Sequence, residues 1–167
     1  EITSASVTSI TGDASQAQAA LDHAQLVSLD AMAVTISDSG AVAATVLTGL
    51  AGATSGEITS ASVTSITGNA SQAQAALDDA QLVSLDAIDV TISDTGAVAA
   101  TVLTTLAGAT TGDVTSAGVT SITGDASQAQ AALGNAKLVS LDAIDVTISD
   151  TGAVAATVLT TLAGATT

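Results

Sequence analysis

The stretch Glu1-Ile2-Thr3-Ser4-Ala5-Ser6-Val7-Thr8-Ser9-Ile10-Thr11-Gly12 returns at Glu57 to Gly68, and in altered form from Asp113 to Gly124, so the chain repeats every 56 residues. A tandem copy presents the same apolar faces again and again, and such faces are buried most readily against the neighbouring copy. Three units follow, 1-56, 57-112 and 113-167, forming one continuous segment. Each unit divides again: Ala5-Ser6-Val7-Thr8 before an Ala-rich stretch matches Met32-Ala33-Val34-Thr35 before another. The expected building block is a coil of about 28 residues, present six times.

The second half of each unit carries Leu29, Met32, Val34 and Ile36, repeated as Leu85, Ile88, Val90 and Ile92. β-Branched alternation of this kind predicts a short strand. The first half has nearly the same spacing in Ile2, Ala5, Val7 and Ile10, with one extra residue that predicts a bulge or early turn. Helices are expected after each strand, at Ser15 to Leu21 behind Gly12-Asp13 and at Ala41 to Leu47 behind Asp38-Ser39-Gly40. Asp38, Asp94 and Asp150 are then N-caps, accepting from the free amides of the first turn. Ala17, Ala20, Leu21 and Ala24 share one helix face, as do Ala43, Val46, Leu47 and Leu50, and Gly52 is the expected C-terminal stop. This order predicts an α/β fold, a right-handed solenoid of about six strand-helix coils with a parallel sheet on one side.

Composition agrees with a thin, layered core. Hydrophobic residues make up 47% of the chain, yet there is no Phe, Tyr or Trp. A globule of this size normally centres on aromatics that bury roughly 150–250 Å² each, whereas stacked repeats need one narrow aliphatic layer. The net charge is -15, with one basic residue against 16 acidic ones. That field repels phosphate backbones and anionic headgroups, so neither nucleic acid nor a bare membrane surface is an expected partner. Mean hydropathy is +0.60, which predicts a folded chain. Apolar stretches such as Gly40 to Ala53 fall short of the ~20 residues of a membrane span, and neither a transmembrane segment nor a signal peptide is expected. Cysteine is absent, so it marks no redox compartment.

The L-x-x-L-x-L-x-L spacing and the coil length resemble leucine-rich repeats, with Ser37, Ser93 and Ser149 standing where that family places a ladder asparagine. The wording Ser6-Val7-Thr8-Ser9-Ile10-Thr11-Gly12, followed by Asp13-Ala14-Ser15 and an Ala-rich helix, is similar to the tandem repeats of giant secreted bacterial surface proteins, cyanobacterial ones among them. That resemblance implies an extracellular or cell-surface location.

Candidate chemistry is sparse. His23 is the one histidine, and Asp79 and Asn135 replace it in the other units. A nucleophile needs an oriented base, so no catalytic residues and no enzyme activity are expected. The strongest ionic pattern is Asp86, Asp89 and Asp94, recurring as Asp142, Asp145 and Asp150, a set of hard oxygen donors suited to calcium. The competing reading makes them helix caps and solvated charge; no other cofactor is expected. A row of outward threonines, Thr8, Thr35, Thr64, Thr91, Thr120 and Thr147, is expected at strand spacing.

Residue 167 is one short of three full units, the next position matching Gly56 and Gly112, and neither end reads as a polar cap. The expected partners are therefore copies of itself or adjoining repeats, end to end. The functional expectation is a structural repeat segment of a large surface protein, a stiff spacer, coat or adhesin stalk. The alternative is a binding module that takes a repeating ligand or calcium on its sheet face. Lys137 is the only tryptic site.

Overall fold

The computed structural model describes residues 1–3, 6–141 and 143–166. It is a mixed α/β fold in which six helices alternate with short strands. The first unit holds β1 (Ile2–Thr3), β2 (Ser9–Gly12), α1 (Ala14–Leu21), β3 (Leu26–Val27), β4 (Ala33–Ile36), β5 (Ala41–Ala43) and α2 (Ala44–Ala53). The second holds β6 (Ile58–Thr59), β7 (Ser65–Gly68), α3 (Ala70–Leu77), β8 (Leu82–Val83), β9 (Asp89–Ile92), β10 (Gly96–Ala99) and α4 (Ala100–Ala109). The third holds β11 (Val114–Thr115), β12 (Val119–Gly124), α5 (Ala126–Leu133), β13 (Leu138–Val139), β14 (Asp145–Ile148) and α6 (Ala156–Ala165).

Every strand pairing among the described residues is parallel, and one offset governs the register. Ile2 pairs with Leu26, Val34 with Ile58, and Ile66 with Val90, in each case 24 residues on. The halves of a unit are nonetheless unequal. First strands start at residues 2, 26, 58, 82, 114 and 138, so steps of 24 alternate with steps of 32. The extra eight residues of the long half accommodate the added strands β5 and β10, of three and four residues, and a helix two residues longer. Within a unit, first strand meets first and second meets second, as in β6–β8 and β7–β9. Between units the register slips sideways by one strand: β9 meets β11, and β10 meets β12. The sheet β5-β7-β9-β11-β13 shows the whole staircase.

An even offset keeps each side chain on the face of its partner, since strand side chains alternate with period two. Val42, Ile66, Val90, Val114 and Leu138 therefore stack as one buried aliphatic column. Against it lie the helices, which pack in succession from α1 to α6. Ala44, Leu47 and Leu50 of α2 and Ala100, Leu103 and Leu106 of α4 are fully buried. The opposing faces of α3 and α5 are alanine, Ala70, Ala73 and Ala76 in the one and Ala126, Ala129 and Ala132 in the other. No aromatic is needed, because leucine layers alternate with alanine layers.

Several local expectations change. Leu29 to Met32 is a turn closed by Met32 N–H donating to Leu29 O, and only Ala33–Ile36 is strand. In the first half the extra residue separates two strands, with Val63 N–H donating to Ser60 O between them. Ala41–Ala43 is strand, and its helix begins at Ala44. Ala24 lies beyond the end of α1, and Gly52 lies inside α2, which stops at Thr54 where the backbone turns extended. Gly96 sits at a register shift with φ of 100°, a conformation that excludes most side chains.

Candidate functional site

Several of the polar groups that recur from unit to unit cap helices or hold neighbouring segments together. Each short helix opens with a capping box. Asp13 Oδ1 accepts from Gln16 N–H at 2.8 Å, and Asn69 and Asp125 do the same for Gln72 and Gln128 at 2.9 and 2.8 Å. The N–H of Asn69 in return donates to Gln72 Oε1 at 3.0 Å.

A second carboxylate reaches the same helix end from 24 residues away. Asp38 Oδ2 accepts from Ala14 N–H at 2.7 Å, Asp94 Oδ2 from Ala70 N–H at 2.6 Å, and Asp150 Oδ2 from Ala126 N–H at 2.7 Å. These aspartates are caps, as expected, but of the preceding short helix and not of the long helix that follows them. The long helices begin instead at Ala43, Ala99 and Ala155, which supply no side-chain cap. The correction follows from geometry: three strand residues stand between Asp38 and Ala44, too far for a local cap, while the 24-residue register sets Asp38 beside Ala14.

The other members of the calcium set are dispersed. The Asp86 side chain is exposed, and its backbone carbonyl accepts from Thr111 N–H at 2.7 Å and Thr111 Oγ1 at 3.0 Å. Asp89 Oδ1 accepts from Asp113 N–H at 2.9 Å. Asp145 is exposed on β14, and Asp142 lies outside the described residues. Among the described residues no three acidic, histidine or cysteine side chains are placed to share an ion. Asp86, Asp89 and Asp94 therefore form no such group.

The position of His23 has a local task that explains its variability. His23 Nδ1 accepts from Gln25 N–H at 3.3 Å, Asp79 Oδ1 from Gln81 N–H at 2.9 Å, and Asn135 Oδ1 from Lys137 N–H at 3.1 Å. Three residue types share one acceptor role in the turn after a short helix. Two residues on, Lys137 extends back to the preceding long helix, its Nζ donating to Ala107 O at 2.8 Å and Thr110 O at 2.6 Å. Gln81 Nε2 makes the lesser version, donating to Thr54 O at 3.0 Å. A cation at carbonyls ending a helix is electrostatically favoured.

The threonine row forms with three of its expected members, Thr35, Thr91 and Thr147, and with others in place of Thr8, Thr64 and Thr120. Thr35 pairs with Thr11 and Thr59, Thr91 with Thr67 and Thr115, and Thr147 with Thr123. Thr8 and Thr64 precede their strands, and Thr120 falls at the shifted register opposite Gly96 and Ala97. The expected six-membered row assumed equal halves.

Four buried hydroxyls escaped the sequence reading. Thr54 Oγ1 donates to Met32 O at 2.7 Å and accepts from Gly56 N–H at 3.0 Å. Thr110 repeats this with Ile88 O at 2.5 Å and Gly112 N–H at 3.0 Å. Ser60 and Ser116 Oγ donate to Val83 O at 2.9 Å and Val139 O at 3.1 Å. A Cβ on Gly112 would collide with the Ile88 carbonyl, so the chain there needs glycine. Thr54 recurs at Thr110 and Ser60 at Ser116, but so do many exposed polar residues of the repeat, so recurrence alone did not single them out.

A groove of about 280 Å³ runs between α3 and α4, lined by Ser71, Gln74, Thr101, Val102 and Thr105. Its lining holds no titratable group and no nucleophile paired with a base. No helix is long and apolar enough to cross a membrane among the described residues. No protein family matches the chain, and neither a curated protein nor a solved structure is detectably similar to it.

Proposed function

We propose that this chain is a non-catalytic structural segment, a right-handed solenoid of six strand–helix coils that serves as a stiff spacer, stalk or coat element of a large extracellular or cell-surface protein. One observation carries the reading: the junction between the first and second units is made again between the second and third, with the same pairing and homologous residues. A chain that repeats one junction in this way, with its recurrent aspartates and buried hydroxyls tying one half of a unit to the next, is organised along an axis and not around a pocket. The right hand follows from the strong preference of parallel crossovers.

The physical properties suit a spacer. Strands repeat every ~4.8 Å, whereas packed helices prefer roughly 8–10 Å, so the stack curves with its helices outside. The alanine faces of α1, α3 and α5 moderate that mismatch by letting neighbouring helices approach. Lys137, the single tryptic site, is half-buried with its ammonium held by two carbonyls, which protects the bond beside it. An acidic surface with no aromatic or Arg anchor disfavours sticky contact with nucleic acid, anionic membranes or casual partners.

Single-molecule energy transfer between dyes on cysteines introduced near the two ends tests the reading, since the chain has no cysteine of its own. A stiff spacer gives one narrow distance distribution that is insensitive to salt. A broad distribution shifting with ionic strength would refute it.

A further inference from the structure

We propose that each 56-residue unit turns the solenoid by a third of a turn, so that an array of such units is a straight, three-sided rod that offers the same surface in three directions. The proposal deepens the spacer reading and rests on it.

Two periods run through the chain. The sequence repeats every 56 residues. The backbone stacks every 24: the strand pairings among the described residues all have that offset, apart from Gly96 opposite Val119 at the register shift. Contacts outside the strands obey it too, since Ala14 lies beside Asp38, Ala70 beside Asp94 and Ala126 beside Asp150. A chain that meets its own parallel neighbour 24 residues on has been carried once round the axis in between, so 24 residues make one turn. A unit of 56 is then two turns and eight residues, a third of a turn over. Three units of 56 and seven turns of 24 both amount to 168 residues, so a fourth unit returns to the phase of the first. The six strand–helix coils are wound on seven turns.

A third of the residues is a third of the circle because each turn has three sides. Within the one turn 82–105, β8, β9 and β10 begin at residues 82, 89 and 96 and belong to three different sheets. Corresponding strands of successive units also change sheet. β2, β7 and β12 lie in the four-, five- and three-stranded sheets, and so do β4, β9 and β14. Thr35, Thr91 and Thr147, one exposed position in three copies, therefore stand on three sides.

This geometry decides what the surface fits. The bend that each helix layer imposes is turned by a third of a circle from one unit to the next and cancels over three units. A linear polymer lying along one side meets a given residue only in every third unit. Partners that each engage a single unit meet the same residues from three sides. The rod is thus suited to lateral contact all round, as in a coat, and not to gripping a filament with one face.

Spin labels on the full chain, which has no cysteine of its own, test the turn. Ala41, Asp89 and Ala97 are exposed. Ala41 and Asp89 lie two turns apart, with Ser65 between them. Labels in Ala41→Cys/Asp89→Cys are expected about 10 Å apart, two strand spacings, and to broaden the frozen-solution electron resonance spectrum. Ala41 and Ala97 hold the same place in successive units but lie in different sheets. Ala41→Cys/Ala97→Cys is expected to broaden the spectrum far less. A second set, Ala97→Cys/Asp145→Cys against Asp89→Cys/Asp145→Cys, should repeat the contrast one unit on. Stronger broadening in the pairs one unit apart would overturn the proposal and leave a spacer of squarely stacked units. Broadening in none of the four would overturn the 24-residue register, and the solenoid reading with it.

Discussion

Residues 82–111 and 138–167 share one sequence, and over the described residues they adopt two structures. In the second unit Gly96–Ala99 is a strand with a buried valine; in the third, the same four residues at 152–155 form no strand. In the second unit four residues on the inward side of α4 are buried, while in α6 only Leu162 is. The local propensities are equal by construction, so the difference is the work of the neighbour. A strand needs a partner for its amides and carbonyls, and an alanine-valine segment has too little preference of its own to stay extended without one. Helices of ten residues survive at the open face because their hydrogen bonds are internal, and because α6 still packs on α5.

That comparison makes the same substitution a different experiment in each unit. Leu103→Ala empties a fully packed site and is expected to cost about 2–5 kcal/mol in urea unfolding. Leu159→Ala, in an identical sequence, is expected to cost about 1 kcal/mol or less. Equal costs would mean that burial, and hence the account of the junction, is wrong. Conversely, lengthening the chain after Thr167 with a glycine and a further copy of residues 57–112 should cover Leu159 and Val154. Burial stabilises each by roughly 1.5–3 kcal/mol, so amide exchange across 153–162 is expected to slow at least tenfold. Unchanged exchange there would break the comparison.

Smaller effects sharpen it. Thr110→Val leaves the Ile88 carbonyl and the Gly112 amide without their partner and is expected to cost about 1–3 kcal/mol. Thr166→Val, at the exposed end where the side chain is not enclosed as that of Thr110 is, should move the urea midpoint far less. Asp94→Ala should cost about 1 kcal/mol and speed exchange at the first amides of α3, leaving those of α4 as they were. The reverse pattern would restore Asp94 as the cap of the helix that follows it. The least effect expected is that of calcium: with no three carboxylates gathered among the described residues, the thermal midpoint should be the same in excess calcium and in chelator. A clear rise would mean that a bound ion stabilises the folded state.

Much of this architecture is legible in the residues. The 56-residue period, the strands at Ala33–Ile36 and Asp89–Ile92 and the capped short helices follow from alternation, from Asp13 and Gln16, and from Ala17 and Leu21 on one face. The register is not legible, because alternation says which side a residue faces and nothing about which strand lies beside it. Equal halves were the simplest reading, and they misplaced Thr8, Thr64 and Thr120 of the threonine row and assigned Asp38 to the wrong helix. Ala41–Ala43 illustrates the limit most sharply. Its alanines and valine fit a first helical turn as well as a strand, and β7 decides between them. The placement of Asp86, Asp89 and Asp94 was not legible for a related reason: they are close in sequence, but lie in turn, strand and loop, where Asp89 and Asp94 accept from different neighbours.

The central claim is that each unit adds the same increment along one axis through the same junction. Small-angle scattering of chains with two, three and four units, with Leu159 and its counterpart at each open end changed to Asp to keep them monomeric, tests it directly. The account predicts a maximum dimension that grows by a constant step, about 10 Å per unit along the strands and more along the helices, from two strand layers of ~4.8 Å each. A dimension that grows only as the cube root of chain length, as for a compact globule, would contradict it.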